Sequence, residues 1–268
     1  SSDLFTSMNP SVKFNNVDTL FSKSLKQNIS NYFKTTSLKK TGNTKLFLKA
    51  AVLLGTFVSL YSLLVFVPMH WSIAIVLCVL FGVNLAAIGF NIMHDAGHQS
   101  FSNHKWLNTL LSYSLNLLGG NIYFWKLKHN IAHHTYTNID GEDHDIEVKF
   151  MRIHHDQPLR KYHRYQRFYF PLLYGISYLA WIFYQDYEKY FRGRMGPNSN
   201  RFHFPIKEKI IFWVSKLLHF CLFVIIPIVY AGWLPTLVGL LVAGAVCGMC
   251  LATVFPLAHV VGGTEFKT

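Results

Sequence analysis

The chain has 268 residues; 51% are hydrophobic and 16% aromatic, and only 14% are charged. Soluble domains carry about 25% charged residues, so this deficit points to a membrane protein. The formal net charge of +12 would suit nucleic acid or an anionic surface, and the placement of the charges decides between them.

Residues 1–45 are polar and basic, with Lys13, Lys23, Lys26, Lys34, Lys39 and Lys40 standing among Ser, Thr and Asn. No apolar core lies near the start, so this is not a secretory signal peptide. Short amphipathic turns at a membrane surface are expected around Val17 to Phe33. Leu46 to Val67 is apolar apart from Lys49, and Ser72 to Met93 is apolar again. Each approaches the roughly 20 residues needed to cross a bilayer. Pro68–Trp71 can only join them as a tight hairpin, with Trp71 as an interfacial anchor.

Just past the second apolar run the chain reads His94-Asp-Ala-Gly-His98, and further on His129-Asn-Ile-Ala-His133-His134. On a helix, i and i+4 lie on one face, a turn apart. Imidazoles so held can share a metal ion, and neutral imidazole suits iron or zinc. One such pair is a weak signal, but two boxes, one ending in His-His, are a strong one. His94, His98, His129, His133 and His134 are therefore the candidate ligands. Between the boxes, Trp106 to Leu118 reads as an interfacial helix ended by Gly119-Gly120, and Trp125 to His134 as a helix.

Asp140, Glu142, Asp143, Asp145 and Glu147 follow the second box. They lack the order of an EF-hand loop and are better read as carboxylates that accept the second N–H of ligating imidazoles. Asp143 and Asn138 are singled out here, and Asp95 beside His94. Arg152, Arg160, Lys161, Arg164 and Arg167 then form a basic cluster. Phe168 to Tyr184 reads as a membrane-lying helix and Gly193 to Asn200 as a loop. Ile210–Tyr230 and Leu234–His259 are two further spans, joined by Ala231-Gly-Trp233. Cys78, Cys221, Cys247 and Cys250 all sit in apolar runs and are expected to pack in helices rather than pair. His154, His155 and His163 lie among arginines and are expected to be solvated or to face headgroups; His219, inside a span, is expected to hydrogen-bond a neighbouring helix.

The expected fold is thus an all-α membrane protein, with four spans in two hairpins plus interfacial helices around a cytosolic histidine-rich region. Neither hairpin turn carries Lys or Arg, so the positive-inside rule places the histidine region and both termini in the cytoplasm. The basic residues flank spans rather than forming the face of a soluble module, which argues against nucleic-acid binding. The boxes lie at span ends and beyond, not inside spans, which argues against a metal transporter.

His94-Asp-Ala-Gly-His98 resembles the first box of the membrane fatty acyl desaturases of the histidine-box di-iron superfamily. His129-Asn-Ile-Ala-His133-His134-Thr-Tyr-Thr-Asn138 is similar to their second box. The detail is nearest to bacterial acyl-lipid and acyl-CoA desaturases of the front-end, linoleoyl type. The resemblance covers about residues 46–266 and implies a desaturase-type membrane domain over 46–268, after the basic segment 1–45. It implies two iron ions, O₂ as co-substrate, and a cis double bond as product. It adds His259, in Leu257-Ala-His259-Val-Val, as a sixth ligand. The substrate implied is a fatty acyl-CoA or acyl-lipid, with Arg160, Arg164 and Arg167 as candidates for its headgroup. The family's third box, Q/H-x-x-H-H, does not occur before Thr268, so the chain is expected to be C-terminally truncated. No H-P-G-G haem motif occurs either, so electrons are expected from a separate ferredoxin or cytochrome b5 type protein with its reductase. The implied location is a bacterial inner membrane. A hydroxylase or ketolase of the same superfamily, or an inactive fragment, are the competing readings.

Overall fold

The computed structural model describes residues 19–259, apart from positions 140, 144, 147, 149, 197, 198 and 200 and the side chains of Ala258 and His259. Asp140 and Glu147 therefore lie outside the described residues. Among the described residues every regular element is helical, and an isolated bridge joins Arg194 and Arg201.

Helix α1 (Thr19–Thr36) precedes α2 (Thr44–Phe66). Asn43 caps α2, accepting from the Leu46 N–H at 3.2 Å, which satisfies one of the orphan donors of the first turn. The helix stops at Val67, which is extended, because the following Pro68 has no N–H and a fixed φ. His70 then caps α3 (Trp71–Ile88) through Ser72 N. This helix continues through a π turn (Gly89–Met93) into α4 (His94–Gly97). The second hairpin comprises α10 (Ile206–Phe220), a π turn (Cys221–Ile225) and α11 (Ile226–Ala231), then α12 (Trp233–His259).

Four helical runs of 23, 27, 26 and 25 residues are long and apolar enough to cross a membrane: Thr44–Phe66, Trp71–Gly97, Ile206–Ala231 and Trp233–Leu257. At 1.5 Å per residue each exceeds the roughly 30 Å hydrocarbon core. Their outer faces leave Val52, Val58, Val76, Leu80, Val214 and Leu241 exposed. In water such a belt would be an aggregation surface, and in a bilayer it faces lipid. The protein is an integral membrane protein.

The inner faces meet around Phe57, Phe81 and Phe223, with ring centroids 5.5–6.3 Å apart. The apolar aromatic stretch after the basic cluster forms α8 (Gln166–Ala180), a π turn (Trp181–Gln185) and α9 (Asp186–Arg192). Helix α8 packs along α12. A Cβ on Gly248 would fall 2.6 Å from the Tyr174 carbonyl and 2.7 Å from that of Gly175. Gly244-x-x-x-Gly248 thus lets two backbones approach as small residues do in membranes. Cys247 is 1% exposed and all four cysteines are free, in line with packing rather than pairing.

One feature lies outside the sequence reading and one differs from it. Lys216 lies inside the third span yet is buried, donating to the carbonyls of Gly119 (2.6 Å) and Ile182 (3.0 Å) and to Asp186 (3.1 Å). Asp186, fully buried, also accepts from Trp181 Nε1 at 3.1 Å. The expected hydrogen bond of His219 goes to the Leu117 carbonyl at 2.9 Å. His154, expected to be solvated, is 5% exposed beside Asp156. Gln157 ties this loop together, accepting from Ile153 N and donating to the Ile146 carbonyl. His155 keeps the expected solvated position.

Candidate metal centre

The first box closes the second span, with His98 just beyond its last residue, Gly97. His98 N–H reaches the His94 carbonyl at 3.0 Å, and the two rings stand 4.5 Å apart, as the i, i+4 spacing predicts. The second box departs from the expected helix. After α5 (Lys105–Ser112) and α6 (Ser114–Leu117), Asn121 caps α7 (Ile122–Trp125), and the chain then winds as a π-helix over Lys126–His133. In an α-helix His134 would point about 140° away from His129. A π-helix bonds i to i+5, and here the His134 N–H reaches the His129 carbonyl. Both members of the His-His pair therefore approach His129, with ring centroids at 5.3 Å for His133 and 4.7 Å for His134. The wide turn, not the α-helical period, makes H-x-x-x-H-H a single cluster.

The boxes meet at His129. Its Nε2 lies 3.2 Å from His94 Nε2 and 3.3 Å from His134 Nε2. The His98 ring is 5.2 Å from that of His129 and 4.8 Å from that of His134. Imidazole–metal bonds of the zinc type, about 2.1 Å, put two nitrogens on one ion no more than about 4.2 Å apart, so these separations fit a shared ion. Ligation needs neutral rings. Burial, and then the neighbouring imidazoles, hold His98 down to about 4, and burial also lowers His129. His98 Nε2 is buried with no hydrogen-bond partner among the described residues. The donor set fits a metal site.

Carboxylates hold the far side of the rings. Asp143 is fully buried, with its oxygens 2.9 and 3.0 Å from His133 Nδ1. It is itself fixed by the N–H groups of Asn138 and Asp145, both at 2.9 Å. Asn138 thus reaches Asp143 through its backbone, at a φ of +60° that Asn tolerates better than most residues. Burial depresses the pKa of His133, but the Asp143 bond and the charges of Asp145 and Asp143 outweigh it and raise the value. Asp145 pairs with Lys128 at 2.7 Å and lies 3.5 Å from His129 Nδ1 and 3.6 Å from His133 Nδ1. Burial pushes its carboxyl up, yet Lys128 and His129 together hold it far below the usual range.

His129, His133 and Asp145 also form a compact donor group. Both rings face Asp145 with Nδ1, however, the nitrogen His133 gives to Asp143. An imidazole that donates Nδ1–H to a carboxylate keeps Nε2 for a metal.

Asp95 lies 3.7 Å from His94 Nδ1, at the margin of contact. Arg160, Arg164 and Arg167 are exposed, with Arg164 stacked over Tyr165 and Arg167 over Phe168. His259 ends α12, and its side chain lies outside the described residues.

Some contributors carried little sequence signal. Trp125 stacks on His129 at 4.6 Å and meets His94 and His98 edge-on. A Cβ on Gly97 would fall 2.5 Å from the Trp125 ring, which is why the first box carries glycine there. Asn130 Nδ2 donates to the Gly97 carbonyl at 3.1 Å and ties box to box. Lys128 immediately precedes the second box, and its pairing with Asp145 gives it a role.

The fatty acid desaturase family model matches residues 69–265. The chain is 33% identical to the acyl-lipid (8-3)-desaturase of Physcomitrium patens over 253 residues, 91% of this chain and 52% of that protein. It is 30% identical to the sn-1 linoleoyl-lipid 6-desaturase of Arthrospira platensis over 92% of this chain and 67% of that protein. For the protein of the same description from Synechocystis the identity is 29%, over 92% and 69%. The chain thus spans about half to two thirds of the length of these relatives. No solved structure matches. With the family model covering well over half of it, and a relative 33% identical across nine tenths of it, the chain belongs to the fatty acid desaturase family.

Proposed function

We propose that this chain is the membrane-embedded, histidine-bearing part of an enzyme that introduces a cis double bond into a fatty acyl chain. The observation that carries the reading is the convergence of His94, His98 and His134 on His129 at the end of a span. Family membership sets the reaction class. In the reaction a –CH₂–CH₂– unit loses two hydrogens; O₂ takes them up with two further electrons and two protons, leaving two waters. Acid–base side chains cannot oxidise an unactivated methylene. Two iron ions held by His94, His98, His129, His133 and His134, with His259, would supply the activation of O₂.

The chain's own residues do the positioning. Asp143 and Asp145 fix the rings of His133 and His129, Asn138 fixes Asp143, and Asp95 stands beside His94. The relatives are named as acyl-lipid and linoleoyl-lipid desaturases, which favours a lipid-borne chain over acyl-CoA. Arg160, Arg164 and Arg167 would meet its phosphate. Electrons come from a ferredoxin or cytochrome b5 type donor. The positive-inside rule supports a histidine region and termini in the cytoplasm, with a bacterial inner membrane as the location.

The test is the acyl composition of a host expressing the full-length protein that carries this chain. A product lighter by two hydrogens, lost in His129→Ala, is expected. A product heavier by one oxygen overturns desaturation in favour of hydroxylation, and stoichiometric zinc in place of iron sinks the di-iron reading.

A further inference from the structure

Helix α1 is built as no core helix is: none of its 18 residues is buried. At 100° per residue, Phe21, Tyr32, Leu25, Ile29 and Phe33 fall on one arc about 120° wide. Leu25, Ile29 and Tyr32 are 47%, 47% and 54% exposed. Lys26, Lys23 and Lys34 occupy the adjoining arc, and Gln27 stands opposite the apolar one. From Thr19 to His94 there is no acidic residue, while seven lysines fall between Lys23 and Lys49. An apolar stripe bordered on one side by a lysine arc is the pattern of a helix lying in a membrane interface.

Its tether keeps it close to the membrane. The link 37–43 joins it to the span that begins at Thr44. At about 3.4 Å per residue this link reaches no more than about 24 Å. Its far end is pinned, since Gly42 N–H lies 3.2 Å from the carbonyls of both Ser100 and Phe101, just after the first histidine box. Thr41 Oγ1 also bonds Asn103 at 2.8 Å. The last turn of the helix therefore stays within about 24 Å of the point where α2 begins.

We infer that α1 is an in-plane membrane helix whose partner is a lipid surface with anionic headgroups, the Leu25–Ile29–Tyr32 stripe entering the acyl boundary and Lys23, Lys26 and Lys34 contacting the phosphates. Each lysine near an anionic surface contributes about fivefold to partitioning, so the three together give on the order of a hundredfold.

The test places nitroxide labels on the full-length protein at Leu25→Cys and, separately, Gln27→Cys, with the four native cysteines replaced. Vesicles of phosphatidylcholine are compared with vesicles containing phosphatidylglycerol. Collision with O₂ reports immersion in lipid, and collision with a nickel chelate reports water. The label at position 25 is expected to favour O₂ and that at 27 the chelate. Phosphatidylglycerol should sharpen the contrast, and high salt or the Lys23→Gln, Lys26→Gln, Lys34→Gln triple variant should weaken it. Labels equally open to the chelate, or a label at 25 shielded from both probes because protein covers it, overturn the proposal. So does immersion indifferent to phosphatidylglycerol and to the triple variant.

Discussion

Lys216 and Asp186 form one polar cluster inside this apolar protein; His94, His98, His129, His133 and His134 form another. In the first, opposite charges meet and every polar atom of Lys216 has a job, with two carbonyls and a carboxylate within 3.1 Å. In the second, like groups are crowded together, two pairs of Nε2 atoms stand 3.2 and 3.3 Å apart, and another Nε2 is buried without a partner among the described residues. A satisfied cluster is a fastener between helices. A crowded one with a buried, unpartnered nitrogen costs stability in the metal-free protein, and a bound ion would complete it. The contrast separates a structural polar group from a functional one without appeal to residue type.

The sharpest way to break the comparison is to delete one member of each cluster. His98→Ala is expected to abolish bound iron and product, read as iron per chain by elemental analysis and as acyl composition, while the helical content stays. Asp186→Ala should do the reverse. It leaves Lys216 charged and buried, which costs about 3–5 kcal/mol, visible as a large loss of thermal stability in detergent. Iron per folded chain should be unchanged. Replacing the pair together, Asp186→Leu with Lys216→Met, should recover most of that stability, since apolar residues can substitute for a buried pair. Unrecovered stability would mean that Lys216 matters through its two carbonyl contacts rather than its charge.

The two clusters were unequally legible. Histidine spacing is local, so the boxes stood out, as did the spans, whose apolar runs exceed the bilayer length. The Lys216–Asp186 pair joins residues 30 positions apart, and Lys216 reads as one charge tolerated in a span. The π winding of Lys126–His133 was not legible either, because periodicity reports which residues are apolar, not how the turn is wound. Trp125 looked like any apolar residue ahead of the box. Asp143 could be named among five nearby acids because ligating rings need an acceptor, but its complete burial, and the lesser role of Asp145, depend on how the loop after the second box folds back.

Within the histidine cluster, the positioning carboxylates should rank by contact. Asp143→Asn keeps the shape but cannot accept equally well from His133, and loss of such a partner costs about 10–100-fold in metal affinity. Asp145→Asn should cost less, because its distances to the rings are 3.5 and 3.6 Å and Lys128 shares it. Competition for iron with a chelator of known affinity measures both. Equal losses would make Asp145 a ligand rather than a positioning group. Smaller again is Gly97→Ala. The added methyl meets the Trp125 ring, and overpacking of this kind costs about 1–3 kcal/mol. Trp125→Phe, which shortens the ring, should relieve part of it in a double-variant cycle.

The smallest expected effect is on pH, and it tests whether crowding stresses the metal-free cluster. His98 is held at about 4 in the folded chain by burial and its neighbours, against an ordinary value of about 6.5 when unfolded. Between those values the unfolded chain binds a proton that the folded chain refuses, so stability rises with pH. Its contribution is complete above about 6.5 and is lost as the pH falls toward 4. His129 is lowered and adds in the same sense, whereas His133 is raised and opposes them, its contribution being lost as pH rises. The net expectation is a thermal midpoint of the metal-free protein that falls on acidification from neutral, and falls less steeply in His98→Asn. A midpoint that rises on acidification, or a slope that His98→Asn leaves untouched, would mean that His98 is not the strained member of the cluster, and that the crowding at His129 is accommodated elsewhere in the fold.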